Sequence, residues 1–155
     1  MVGAYLMESN ALIKRYVTES GTPWVQHVSN PSAHNRLIIA RITWVEVLSA
    51  LARRQREGSL SPGGIAGAAR AIRYDIDTSY QVIELDRSLA EAAGQLVTRH
   101  PPRAYDAIQL ASALNIYPAF GDARHTMLTF VSADDRLLAI AQAEGLPTDN
   151  PNRHL

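Results

Sequence analysis

Four acidic residues, Glu8, Glu46, Asp106 and Asp134, each stand at or beside the predicted start of a helix. Taken singly, three of them have a local explanation. Glu46 completes a Thr-x-x-Glu capping box with Thr43. Asp106 favours the positive end of its helix, a stabilisation of about 0.3–1 kcal/mol. Asp134 or Asp135 can pair with Ser132 in a cap. Glu8 ends an apolar run ahead of Ser9-Asn10 and has no such partner in the sequence. Taken together, they raise a charge problem. Two carboxylates about 4 Å apart repel by roughly 4 kcal/mol at an effective dielectric of 20, so four in one place need protons or a cation. An oxygen-only donor set, without cysteine and with no histidine at ligand spacing, suits Mg²⁺ or Mn²⁺ better than Zn²⁺.

Convergence requires elements that bring the four together. Periodicity predicts a buried strand over Val2–Met7, a helix over Ala11–Val17, and a second helix from Thr22, as cap, and Pro23 to about Asn30. A strand follows at Leu37–Ala40, then a largely apolar helix from Thr43 to Arg56 that Gly58 stops. Its Trp44–Ala52 stretch is expected to be central or shared with a second copy, and Arg53-Arg54-Gln55-Arg56 to be its solvated end. A helix begins at Ser61-Pro62, a strand covers Gln81–Leu85, and helices cover Arg87–Arg99 and Tyr105–Ile116. Met127–Val131 reads as a buried strand entering the helix Asp135–Glu144, closed by Gly145 and Pro147. Strands alternating with helices predict a three-layer α/β domain over residues 1–147, with a short, mainly parallel sheet of four or five strands. Residues 148–155 read as a short polar tail. In such sheets the acids fall near the carboxyl ends of the strands, where ligand crevices form.

Composition narrows the classes of function. The chain has 155 residues, enough for one domain with its own core. Fifteen basic residues balance fifteen acidic ones, so any hold on a polyanion must be local rather than a property of the whole surface. The absence of cysteine excludes disulfides, thiolate metal sites and cysteine nucleophiles. No basic leader or long apolar run is present, so the expectation is a cytoplasmic protein without membrane contact. Neither a Gly-x-Gly-x-x-Gly nor an Asp-x-Asp nucleophile pair follows the first strand, which disfavours dinucleotide and aspartyl-phosphate chemistry. The histidines, His27, His34, His100, His125 and His154, are scattered and are assigned no catalytic role.

Four blocks in order carry a resemblance: Tyr5-Leu6-Met7-Glu8-Ser9-Asn10-Ala11-Leu12-Ile13-Lys14-Arg15-Tyr16, Thr43-Trp44-Val45-Glu46-Val47-Leu48-Ser49-Ala50-Leu51, Arg103-Ala104-Tyr105-Asp106-Ala107-Ile108-Gln109-Leu110-Ala111-Ser112-Ala113-Leu114 and Phe130-Val131-Ser132-Ala133-Asp134-Asp135-Arg136-Leu137-Leu138. Over nearly the whole chain the sequence resembles the PIN-domain nucleases, particularly VapC-type toxins of toxin–antitoxin pairs. The resemblance implies a PIN-like α/β/α fold and a metal-dependent endoribonuclease that is usually dimeric and held inactive by a small antitoxin. It places the acidic quartet on Glu8, Glu46, Asp106 and Asp134 as catalytic and metal-holding residues, with Asp134 ahead of Asp135 because it precedes Arg136-Leu137-Leu138. Ser9 and Asn10 are implied as orienting groups. Lys14, Arg15, Arg41 and Arg103 lie near the strand-end face and are candidate contacts to RNA phosphates. The sequence departs from the family at Glu8, where Asp is usual. The added methylene defines the alternative reading, an impaired PIN-like module that binds without cutting.

Overall fold

The computed structural model describes residues 2–120 and 126–154; His125 and Leu155 lie outside them. Five parallel strands, β1 (Ala4–Met7), β2 (Arg36–Ala40), β3 (Gln81–Ile83), β4 (Leu128–Val131) and β5 (Thr148–Asp149), form one sheet in the order β3-β2-β1-β4-β5. The central strand explains why the first apolar run comes from the core: β1 pairs on both sides, Leu6 opposite Ile38 and Phe130. Alternation along the strands sends side chains to both faces. Leu6, Ile38, Leu128 and Phe130 pack under α5 (Arg87–Arg99), α6 (Ala104–Ile116) and α7 (Asp135–Ala143). Met7, Leu37, Ile39 and Val131 pack under α1 (Ser9–Leu12), α2 (Thr22–Val28), α3 (Thr43–Arg56) and α4 (Pro62–Thr78). The result is a three-layer α/β/α domain.

This strand order places the ligand end of the sheet. The chain leaves β1 toward β2 and later returns on the other side as β4, so the β1 and β4 exits diverge at the carboxyl edge. That is the switch point at which open parallel sheets form crevices. Glu8 leaves β1 there, its N–H still donating to Val131 O at 2.9 Å, and Asp134 caps α7 just beyond β4.

Several local expectations change in the folded chain. The Ala11–Val17 helix is two pieces, α1 and a 3₁₀ turn over Ile13–Arg15, and α1 starts earlier than expected because the Glu8 side chain caps it from the end of β1. Thr22 is a helical residue rather than the cap, which falls to Gly21 at φ 83°; its hydroxyl accepts from Glu19 N–H instead. The Thr43–Glu46 capping box does not form: α3 starts from Ile42 without a side-chain cap, since both side chains are drawn into tertiary hydrogen bonds described below. The apolar face of α3 is used within the chain, with Val47 and Leu51 in the core and Trp44 covered by Arg73 at 4.1 Å.

The polar end is not a tail through residue 153. Thr148 and Asp149 pair with Phe130 and Val131, and Pro151 is buried in a following 3₁₀ turn. A two-residue polar edge strand has too short a pattern to be read locally. Its packing depends on Gly21, where an added Cβ would meet the Pro151 backbone at 2.7 Å. Gly21→Ala combines that clash with a left-handed backbone, and should lower unfolding stability by about 1–3 kcal/mol in urea titration; an unchanged midpoint would contradict this docking.

Candidate active site

Glu8 is the point at which strand becomes helix. It caps α1, its side chain accepting from Asn10 N–H at 3.3 Å, and its Oε2 also accepts from Ser132 Oγ at 3.1 Å. Asn10 ties the same two loops from the other side, its Oδ1 accepting from Ala133 N–H at 2.8 Å. The β1 and β4 exits are therefore stitched together around a carboxyl group that is only 3% exposed.

A second node holds Glu46. Gln109, fully buried on α6, donates through Nε2 toward Ser9 Oγ, Thr43 Oγ1 and Glu46 Oε1 at 3.0, 2.9 and 2.8 Å. Ser9 Oγ donates in turn to Glu46 Oε1 at 2.8 Å. These bonds displace the expected capping box, because a buried amide leaves its hydrogen-bonding groups unsatisfied if the partners turn to local backbone. Ser9 thus orients Glu46, and Asn10 orients the loop carrying Asp134. Sequence reading missed Gln109, Thr43 and Ser132 as members of the site. The available signal for Gln109 was an amide inside the apolar run Ala107–Ala113, one turn beyond Asp106 on α6.

Glu8, Glu46, Asp106 and Asp134 line a single open cavity of about 790 Å³ together with Ser9 and Asn10. Asp134 Oδ1 accepts from Arg136 N–H at 2.9 Å as the cap of α7. Asp135 points to another task, accepting from Asn150 Nδ2 and Arg153 at 2.8 and 2.9 Å. Of the four candidate basic contacts, Lys14 and Arg103 line the cavity. Arg15 is committed elsewhere, donating to Ser29 O and Tyr80 Oη and lying 3.4 Å from Asp75. Arg41 pairs with Glu84 at the end of the sheet. The expected solvated end of α3 is in part a cavity wall: Arg53 and Arg54 line it.

Charge at the acidic end is unbalanced. Burial, reinforced by the nearby Glu46 charge, pushes the Glu8 carboxyl up to about 8, against the opposing hydrogen bonds from Ser132 and Asn10. Asp106 is also raised, chiefly by burial; the Arg103 backbone hydrogen bond opposes this and Asp134 adds to it. Among the described residues no group of three His, Cys, Asp or Glu side chains is gathered closely enough to enclose one metal ion. The donor set nevertheless fits a hard cation. Mg²⁺ is commonly held by one or two carboxylates and several waters rather than by a closed protein cage, and buried carboxylates beside one another are stabilised by such a charge.

A family model for the PIN domain matches residues 9–143, and the chain belongs to the PIN domain family. It is 28% identical over 109 residues to Ribonuclease VapC45 of Mycobacterium tuberculosis, a match covering 70% of this chain and 74% of that protein. A toxin–antitoxin complex from Klebsiella pneumoniae contains a chain of the same fold, with a TM-score of 0.62 and 19% identity over 95% of this chain and 97% of that one. VapBC2 from Rickettsia felis, bound to a DNA fragment from its promoter, gives a TM-score of 0.62 and 12% identity over 95% and 98% of the two chains. No helix among the described residues is long and apolar enough to cross a membrane.

The raised Glu8 carboxyl sets a pH dependence. The folded chain holds a proton, up to about pH 8, that the unfolded chain releases near 4.5, so raising the pH through that window favours unfolding. In chelator, the melting temperature should fall as pH rises from about 5 to about 8 and then level off. Glu8→Gln should flatten the profile. A wild-type melting temperature that rises across this window would contradict the assignment.

Proposed function

We propose that this chain is a VapC-type toxin, a metal-dependent endoribonuclease that hydrolyses RNA phosphodiester bonds and is inhibited by a cognate antitoxin protein. The observation that carries this reading is the convergence of four carboxylates from four separate segments into one open cavity at the switch point of a parallel sheet. The similarity to a protein named a ribonuclease supports the reaction class, and the likeness to a chain from a toxin–antitoxin complex supports the kind of partner.

Glu8, Asp106 and Asp134 would hold Mg²⁺ or Mn²⁺, with Glu46 beside them. When bound, such a cation acidifies water and offsets the charge of the phosphate under attack. The chain's own groups do the positioning. Ser132 and Asn10 N–H fix Glu8 Oε2; Ser9 and Gln109 fix Glu46 Oε1. Among the described residues, Glu46 Oε2 takes no protein hydrogen bond, which suits it to accept a proton from the attacking water. Arg103, which precedes α6, supplies positive charge beside Asp106 for the strand's phosphates. Glu8 reaches its partners despite its longer side chain, which favours a working site over a disarmed one.

Inhibition would follow from a basic antitoxin side chain entering the acidic end of the cavity, since a cation there competes with the metal for the same carboxylates. Pairing with a second copy and action in the cytoplasm, where RNA is found, belong to the same reading.

Purified chain with Mn²⁺ or Mg²⁺ should cut RNA at discrete places, leaving 5′-phosphate and 3′-hydroxyl ends. Cleavage should stop in chelator and fall at least about 100-fold in Asp106→Asn, with the melting temperature retained. Light scattering on the same sample should give the mass of two copies. Cleavage undiminished in Asp106→Asn would overturn the site, and cleavage appearing only after Glu8→Asp would identify the native chain as a disarmed nuclease.

A further inference from the structure

The cavity has a second, basic end that the catalytic carboxylates do not use. Lys14, on the 3₁₀ turn after α1, lines it with only 6% of its side chain exposed, and its Nζ lies 3.1 Å from Glu19 Oε1. Arg54, with 20% of its side chain exposed, reaches the other oxygen of the same carboxylate at 2.8 Å. Two cations on one carboxylate leave a surplus positive charge facing the cavity. Burying a lysine this deeply is unfavourable unless an anion is held against it, and Glu19 is that anion in the chain by itself.

The geometry relates this cluster to the carboxylates. Glu46, Ala50 and Arg54 lie four residues apart on one face of α3, and all three line the cavity. From Glu46 to Arg54 the helix rises about 12 Å. An anion at Arg54 is therefore not the phosphate at the carboxylates but another one along the same ligand. A polynucleotide carries such regularly repeated charges, whereas the phosphates of a single nucleoside triphosphate are clustered at one end. Tyr105 and Val45, 61% and 64% exposed, line the same cavity and offer a base an aromatic face and an apolar edge.

We infer that Lys14 and Arg54 form a phosphate subsite for a nucleotide flanking the cut, and that Glu19 is its internal counter-ion, displaced when the strand binds. This rests on the ribonuclease reading and names how the substrate is held. Arginine's planar fork and the compact lysine charge are the pair of donors that a phosphate accepts best. Glu19 keeps the two cations paired when no strand is present, and weakens non-selective capture of other anions.

The test is binding of a short fluorescent single-stranded RNA to the full chain carrying Asp106→Asn, in chelator so that the strand stays intact, followed by anisotropy over a range of salt. Arg54→Met and Lys14→Met should each weaken binding about tenfold at low salt and reduce the slope of log affinity against log salt by about 0.7. Glu19→Gln should tighten binding several-fold. Arg54→Lys should retain part of the affinity, and Arg56→Gln, on the exposed end of α3, should change nothing. If Lys14→Met fails to fold, the Arg54 pair of variants decides the matter. In the otherwise native chain with Mn²⁺, Arg54→Met should raise KM about tenfold and change kcat less than twofold.

Unchanged affinity and salt slope in the folded Arg54→Met chain would overturn the subsite. So would RNA binding unaffected by Arg54→Met while a co-purifying protein partner is lost, which would make the cluster a receptor for a protein carboxylate. Failure of the native chain to cut RNA in either metal, with the slope still reduced in Arg54→Met, would instead remove the ribonuclease reading and leave a strand-binding cleft.

Discussion

A carboxyl group at the end of the central strand of a parallel sheet sits where water is scarce and other acids are near. Glu8 occupies that position, 3% exposed and repelled by Glu46 and Asp106, and much of the surrounding polar structure exists to hold it there. Its neighbours are placed by the sheet itself. β1 and β4 run side by side, so their exits deliver Glu8 and Asp134 to one edge; α3 and α6 enter that edge from opposite faces of the sheet with Glu46 and Asp106 in their first turns. The fold gathers like charges that would separate in an unfolded chain, and Glu8 answers by holding its proton well above the usual carboxylate range.

The polar scaffold under the acids is what distinguishes a positioned cluster from a crowded one. Gln109 joins α6 to α3 and to the β1 exit through one amide, while Ser132 and Asn10 join the β1 and β4 exits. Gln109 and Ser132 are fully buried, so their hydrogen bonds are strong and their loss would leave unsatisfied partners. They fix one oxygen of Glu8 and one of Glu46. The same cavity then runs along α3 from carboxylates to Arg54, a charge gradient that suits a ligand carrying both phosphates and a bound metal.

Much of this was legible in the sequence because it depends on pattern. The alternation of buried runs and amphipathic stretches located each of the first four strands to within two residues at either end, and the helix Arg87–Arg99 has the expected bounds. The four acids were recognisable from their places beside helix starts. The remainder depends on contacts between distant residues. Thr43 and Glu46 read as a capping box until Gln109, more than 60 positions away, takes both side chains. Thr148 and Asp149 have no apolar period, and become a strand only because β4 offers an unpaired edge. Lys14 reads as a candidate phosphate contact, but nothing local announces that Glu19 folds back over it.

On the proposed ribonuclease reading, Glu8 and its neighbouring carboxylates form one cation site, and metal binding there is coupled to loss of the Glu8 proton. Calorimetric titration of the full chain with Mn²⁺ at pH 7, in two buffers of different ionisation enthalpy, measures both the binding and the protons released with it. Saturable binding with release of nearly one proton, and loss of that release in Glu8→Gln, is the predicted result. Absence of saturable Mn²⁺ binding, or proton release that persists unchanged in Glu8→Gln, would contradict it.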